Sequence, residues 1–212
     1  KIGIVGAGFM GAGIAQVSAA AGIQVVLIDR DQETADKGKA ALHKALSDRV
    51  MKGRMKGAER DELLARITPT ADYAALKDCD LVIEAVYEDR KVKSDVIAKI
   101  QAVIGDKATF ASNTSTLPIT SLASEFKDPA RFIGIHFFSP VDRMMLVEII
   151  LGKQTGDEHS EEELRIILTR SQEHNLMSFR RLIFLENVFD FGGLTVRDAM
   201  RGRASMRCLD TG

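Results

Sequence analysis

Strong charge of either sign is missing from this 212-residue chain: 29 Lys and Arg stand against 30 Asp and Glu, for a formal net charge of -1. So even a balance removes the electrostatic reason to expect nucleic acid as a partner. Long apolar runs are missing as well. No stretch approaches the ~18 uninterrupted apolar residues of a membrane span, although hydrophobic residues make up 45% of the chain. That content suffices for one good core, with room for a small second unit. Cysteine is scarce, and Cys79 and Cys208 form no spaced motif, so no metal is expected and a reducing compartment is. The chain opens without Met inside what reads as its first strand, which leaves room for an upstream domain or targeting peptide.

What is present begins at once. Ile2 to Val5 is a branched, apolar run of buried-strand length, and it leads straight into Gly6, Gly8 and Gly11 at G-x-G-x-x-G spacing. Gly6 permits a tight strand-to-helix turn, Gly8 lets a pyrophosphate approach the backbone, and Gly11 lets the helix lie close on the sheet. The pyrophosphate would sit on the free N–H groups and positive dipole end of that helix, with Phe9 and Met10 counted among the cofactor contacts. Glycine-rich turns without a ligand are common, so context decides. Met10, Ile14 and Val17 mark one apolar helix face, Gly22 supplies a stop, and residues 24–28 form a second branched strand ending at Asp29. Asp29 lies roughly the ~20 residues beyond the glycines at which an acid reaches the adenosine ribose hydroxyls. Its carboxylate accepts from a free 2′-hydroxyl and repels a 2′-phosphate, which favours NAD over NADP. The neighbouring Arg30 would meet a phosphate, stack on adenine, or be a solvated charge.

Further along, Ala35, Leu42, Ala45, Leu46 and Val50 stand at helical spacing, and Gly53 and Gly57 break the pattern before residues 58–67, which reads as a helical hairpin. Its basic residues, Lys37 and Lys39 among them, present either a site for an anionic ligand or a solvated face. Residues 81–86 read as another buried parallel strand, residues 91–104 as a helix, and Thr109 to Ser112 as a further strand ending in the turn NTST. This alternation predicts a doubly wound α/β fold of Rossmann type. Ligands in such sheets lie beyond the carboxyl ends of the strands, where Glu88 and the turn 113–116 are placed.

Residues 132–138 and 144–150 look like two strands joined by the turn SPVDR. Paired antiparallel about Asp142, they put His136 and Glu148, each six positions from the centre, opposite one another on one face. A carboxylate beside an imidazole fixes its tautomer and stabilises imidazolium, which makes a general base worth roughly 10² to 10⁴ in rate. Alcohol oxidation by NAD needs such a group, because the hydroxyl proton must leave as the hydride does. The bland alternative is a satisfied core histidine flanked by Phe137 and Phe138. Glu148 tips the balance, since a carboxylate buried in the apolar run MMLVEII needs a partner.

Taken in order, GAGFMGAGIA, VVLIDRD, EAVYEDRKVK, SNTSTLPIT and GIHFFSPVDRMMLVEII resemble the NAD-binding domain of the 3-hydroxyacyl-CoA dehydrogenases, including the dehydrogenase part of multifunctional fatty-acid oxidation proteins. The resemblance covers residues 1–156 and implies oxidation of the 3-hydroxyl of a hydroxyacyl-CoA to the ketone with NAD, in fatty-acid β-oxidation. By motif match it makes His136 the general base, Glu148 its orienting carboxylate, and Ser115 the contact to substrate oxygen and nicotinamide. It sets Glu88 and Lys93 near the nicotinamide ribose, with Asn113 in the same turn as Ser115, and Ser139 where many members carry Asn. Lys37 and Lys39 fall on the helix that meets the CoA phosphates. An acyl-CoA substrate, a homodimer or association with other β-oxidation domains, and a cytoplasmic or, in a eukaryote, mitochondrial-matrix location follow as expectations.

Beyond that point members continue with a strand of the type TPIVVND, a Gly-Phe turn, an Asn-Arg pair and a helical domain, none of which is written here. Residues 157–212 instead read as an atypical, partly helical segment with a capping box from Ser160 to Glu163, and Asn187 is its one candidate for the missing Asn. After Lys153 every strong base is Arg. A truncation, a frame-shifted gene end or a replaced domain would each give this pattern, and an apolar, Arg-rich tail would suit packing on a partner chain. Two rival readings remain at this stage: a cofactor-binding or interaction module without activity, and a β-hydroxyacid dehydrogenase acting on a small free acid.

Overall fold

Seven short strands, most of them too apolar to face water on either side, set the architecture of this computed structural model, which describes residues 1–144 and 146–156. The strands β1 (Ile2–Val5) and β2 (Val25–Ile28) are buried along their whole length, as strands covered on both faces must be. With β3 (Ile67–Thr70), β4 (Leu81–Glu84), β5 (Thr109–Ser112), β6 (Phe132–Phe137) and β7 (Val147–Leu151) they form one sheet in the order β3-β2-β1-β4-β5-β6-β7. Every pairing is parallel except β6 with β7. This is the doubly wound Rossmann-type sheet, extended by one antiparallel strand.

From β1 the chain turns to β2 on one side and, later, to β4 on the other. The crevice where the order reverses lies above the carboxyl ends of β1 and β4, the usual place for a ligand in such sheets. Helices fill both faces. On one, α1 (Phe9–Ala20), α2 (Gln32–Met51) and α3 (Gly57–Ala65) enclose a core that includes Ile4, Ile14, Leu27, Leu46 and Ile83. On the other, α4 (Arg90–Gln101) and α5 (Ile119–Ala123) enclose Val82, Ile97, Ile100, Phe110 and Phe132, with the rings of Phe110 and Phe132 stacked at 4.7 Å between centroids.

The hairpin of helices stands where the spacing puts it, but the second helix stops at Ala65 and the chain enters β3 at Ile67. The helix expected over residues 58–67 thus ends two residues early. Pro69 hides this strand from a pattern search, and an edge position is where a sheet tolerates proline. Strand β7 runs over Val147–Leu151, shifted from the expected 144–150. The capping box at Ser160 to Glu163, Asn187, Cys208 and the expected second segment 157–212 lie outside the described residues. Among the described residues no helix is long and apolar enough to cross a membrane.

Candidate active site

The glycine turn is built as its spacing requires. Gly6 has φ +106°, a left-handed conformation open to glycine. A Cβ on Gly11 would lie 1.7 Å from the Gly6 carbonyl oxygen, so helix and turn touch backbone to backbone. At Gly8 a Cβ would meet nothing within 4 Å. That open space lies at the N-cap of α1, which no side chain caps, so the helix presents bare N–H groups and its positive end to whatever enters. Asp29, at the end of β2, stands beside this turn: one carboxylate oxygen accepts from the Ala7 N–H at 2.7 Å and the other from the Arg30 N–H at 2.7 Å. A cradle free of side chains, a helix N-terminus and an adjacent acid fit a dinucleotide with an unphosphorylated ribose. Arg30 turns away into solvent and pairs with Asp31 at 3.2 Å.

The carboxyl ends of β4 and β5 meet in a network of charges. Glu84, the last residue of β4, is fully buried and accepts from the Lys93 ammonium at 2.8 Å, the Ser112 hydroxyl at 2.7 Å and the Val86 N–H at 2.8 Å. Lys93 on α4 is also fully buried; its ammonium lies 3.2 Å from Glu88 and donates to the Asn113 carbonyl. Glu88 in turn gathers the turn 113–116, accepting from the hydroxyls of Thr114 and Thr116 and from the N–H groups of Ser115 and Thr116. Desolvation pushes its carboxyl up, but the Thr114 hydroxyl, the Lys93 ammonium and the Thr116 N–H outweigh it and hold the group at about 2, against the usual 4.5. Asn113 completes the tie, its side-chain carbonyl accepting from the Phe137 N–H on β6 at 2.9 Å.

On β6 and β7, His136 and Glu148 are register partners, and Nδ1 of the imidazole lies 2.8 Å from a Glu148 carboxylate oxygen. A carboxylate can only accept, so Nδ1 carries the proton and Nε2 has a free lone pair. The ring rests against Phe138, 4.5 Å between centroids. The pairing is as the sequence places it, but the burial is not: the Glu148 side chain is 48% exposed, because β7 is the last strand of the described sheet.

Two cavities meet this constellation. The smaller, 360 Å³, is lined by Met10, Val86, Glu88, Asn113, Ser115, His136, Phe138 and Ser139. The larger, 740 Å³, runs from Gly8, Phe9 and Asp29 across Gly38 and Leu42 of α2 to Arg143. Between them they bring together ten of the sixteen expected residues; Gly6, Gly11, Arg30, Lys39, Lys93 and Glu148 are not in their walls. Lys37 lines the larger cavity and pairs with Glu33 at 2.6 Å on the surface. Lys39 does not join it; its ammonium donates to the Ile67 carbonyl at 2.7 Å and fastens α2 to β3. Lys93 lies beneath the cavity floor, since the Glu84 and Glu88 carboxylates hold its ammonium there. Glu84 is given no role by the sequence pattern, Thr114 is covered only as part of the turn 113–116, and Phe138 is expected only as a core neighbour of His136. An acid closing the apolar strand LVIE was the available signal, because a buried carboxylate needs donors.

The family described as 3-hydroxyacyl-CoA dehydrogenase, NAD binding domain, matches residues 1–172, past the 156 to which the motifs extend. The chain is similar to a probable 3-hydroxybutyryl-CoA dehydrogenase of Deinococcus radiodurans, at 45% identity over 158 residues, 74% of this chain and 56% of that protein. It is also similar to a fatty acid oxidation complex subunit alpha of Idiomarina loihiensis, at 47% identity over 156 residues, 74% of this chain and 22% of the relative. The chain thus spans about half of one relative and about a fifth of the other. Among solved structures, (S)-3-hydroxybutyryl-CoA dehydrogenase from Ralstonia eutropha superposes with a TM-score of 0.74 at 40% identity, covering 78% of this chain and 58% of that one.

Proposed function

Since the chain belongs to the family of 3-hydroxyacyl-CoA dehydrogenase NAD-binding domains, we propose that it oxidises the 3-hydroxyl of a 3-hydroxyacyl-CoA to the ketone in fatty-acid β-oxidation. NAD is the cofactor, and when bound it takes the hydride that leaves the substrate carbon. The observation that carries the reading is the pairing of Glu148 with His136, whose ring stands on the wall of a cavity that Ser115 also lines.

Nε2 of His136 takes the hydroxyl proton as the carbon–hydrogen bond breaks and the carbonyl forms. Glu148 holds the ring by Nδ1 and stabilises the imidazolium that results. Ser115, with its backbone N–H fixed on Glu88, presents its hydroxyl to the substrate oxygen. Asn113 keeps the turn of Ser115 and the strand of His136 in register, which matters because a misplacement of about 1 Å can cost ~10² in rate. Lys37 and Arg143 line the larger cavity and are the bases that would meet a CoA phosphate, Lys37 by leaving its exposed pair with Glu33, whereas Lys39 is held by the Ile67 carbonyl. An association with other β-oxidation domains is the matching proposal for partners, because one relative is named as a subunit of a fatty acid oxidation complex.

The test is NADH oxidation with acetoacetyl-CoA by the purified chain, with His136→Ala as control. Loss of NADH absorbance that disappears in the control is the expected result. Tight NADH binding without turnover would instead favour the second reading, a cofactor-binding module. Turnover of a small free 3-hydroxy acid with indifference to the CoA portion would overturn the substrate class.

A further inference from the structure

Glu84, Lys93 and Glu88 form a cluster in which two carboxylates share one ammonium, so one negative charge is left uncompensated. The Glu84 carboxylate accepts from the Lys93 ammonium, the Ser112 hydroxyl and the Val86 N–H. Lys93 has no exposure through which to draw in another anion. Glu88 is the member that reaches the smaller cavity, facing it beside Ser115 and His136. Lys93 is the one Lys or Arg among the described residues that line this cavity or bond directly to those that do. Among the described residues, therefore, no second Lys or Arg stands beside the negative charge at the cavity.

From this juxtaposition we infer that the Glu84–Lys93–Glu88 cluster sets the preference of the chain for the oxidised over the reduced form of NAD. The inference rests on the proposed function: hydride and proton leave the same carbinol group, so a ring that takes the hydride must lie beside His136 and Ser115 at the smaller cavity. The two forms share every phosphate and both riboses. They differ in the ring, which is cationic when oxidised and neutral when reduced. A fixed anion at the ring's end of the site thus stabilises the oxidised form selectively, while contacts at the glycine turn and Asp29 act on both forms alike. The chemistry makes this charge consequential. As the substrate is oxidised, one unit of positive charge disappears from the ring and one appears on His136, whose own carboxylate is Glu148. Glu88 and Glu148 thus pull on opposite ends of the same charge displacement.

The experiment measures the dissociation constants of NAD and NADH on the full chain by calorimetry, for the wild type, Glu88→Gln, Glu84→Gln and Asp29→Asn. A glutamine at position 88 keeps a carbonyl for the Ser115 and Thr116 N–H groups, and its partly exposed position makes it the variant that carries the test if the buried Glu84→Gln does not fold. The ratio of the NAD constant to the NADH constant is expected to rise about tenfold in Glu88→Gln, the scale of one unit charge in a half-wet site. In Glu84→Gln it moves the same way by less, and in Asp29→Asn both constants rise with the ratio unchanged. A ratio that stays within twofold of wild type in Glu88→Gln, or that falls, overturns the inference and leaves the proposed function standing. A wild-type chain that binds neither form overturns the reading beneath it.

Discussion

Gly8 and Gly11 lie three residues apart and answer differently to the same added methyl. At Gly8 the backbone is in an ordinary extended conformation with open space beside it, so Gly8→Ala is expected to leave the melting temperature unchanged or raise it by about 2 °C. Its NAD affinity should fall by at least ~10-fold, because the methyl occupies the cradle. Gly11→Ala drives a methyl into the Gly6 carbonyl and is expected to cost about 3 kcal/mol, read from urea denaturation. Equal effects of the two on stability would contradict the division of labour. At the other end of the site, Glu148→Gln keeps the shape of the side chain but loses the charge that stabilises the imidazolium. Turnover should drop by about 10² with the NAD dissociation constant unchanged. These residues were legible because each carries its own signature: glycines at fixed spacing, an acid after a strand, a histidine and a glutamate equidistant from a turn. Lys39 was not. A lysine in a basic helix looks the same whether it meets a ligand or, as here, a neighbouring backbone carbonyl.

The turn 113–116 gives four hydrogen bonds to one carboxylate, Glu88, and acid should loosen it. The folded Glu88 titrates at about 2 and the unfolded one near 4.5, so between these values the unfolded chain binds more protons and stability rises with pH. The contribution is therefore complete above about pH 4.5 and fades as pH falls toward 2. Urea midpoints of wild type and Glu88→Gln should differ at pH 6 and converge toward pH 2; a constant gap would show that charge is not what holds the turn. Elements with strong periodicity or branched apolar runs, β1, β2, β4 and β5, could be placed from the sequence within a residue or two. The strand β3 could not, because ITPT offers neither a run nor an alternation and its pairing with β2 comes from the far side of a helical hairpin. Glu148 shows a subtler limit. Its partner follows from local symmetry about Asp142, but its exposure depends on whether another strand lies beyond β7, which local pattern does not encode.

At the largest scale, the described residues form a sheet insulated by two separate cores. Leu27 is buried in one and Phe110 in the other, three strand intervals and roughly 14 Å apart at ~4.8 Å per strand. Leu27→Ala should cost about 2–5 kcal/mol and Phe110→Ala about 3–5 kcal/mol. Their sum should match the double variant within about 0.5 kcal/mol in denaturant titrations, and a larger mismatch would show that the sheet couples its two faces. The same interval separates the parts of the site: β1 delivers the glycine turn, β6 delivers His136, and β4 and β5 lie between them. The sheet is thus a ruler with one graduation per strand, and the span from phosphate cradle to proton acceptor can change only in whole graduations of ~4.8 Å. A ligand of fixed length reads that ruler, so loops at the rim are free to drift in sequence while the order of the strands is not.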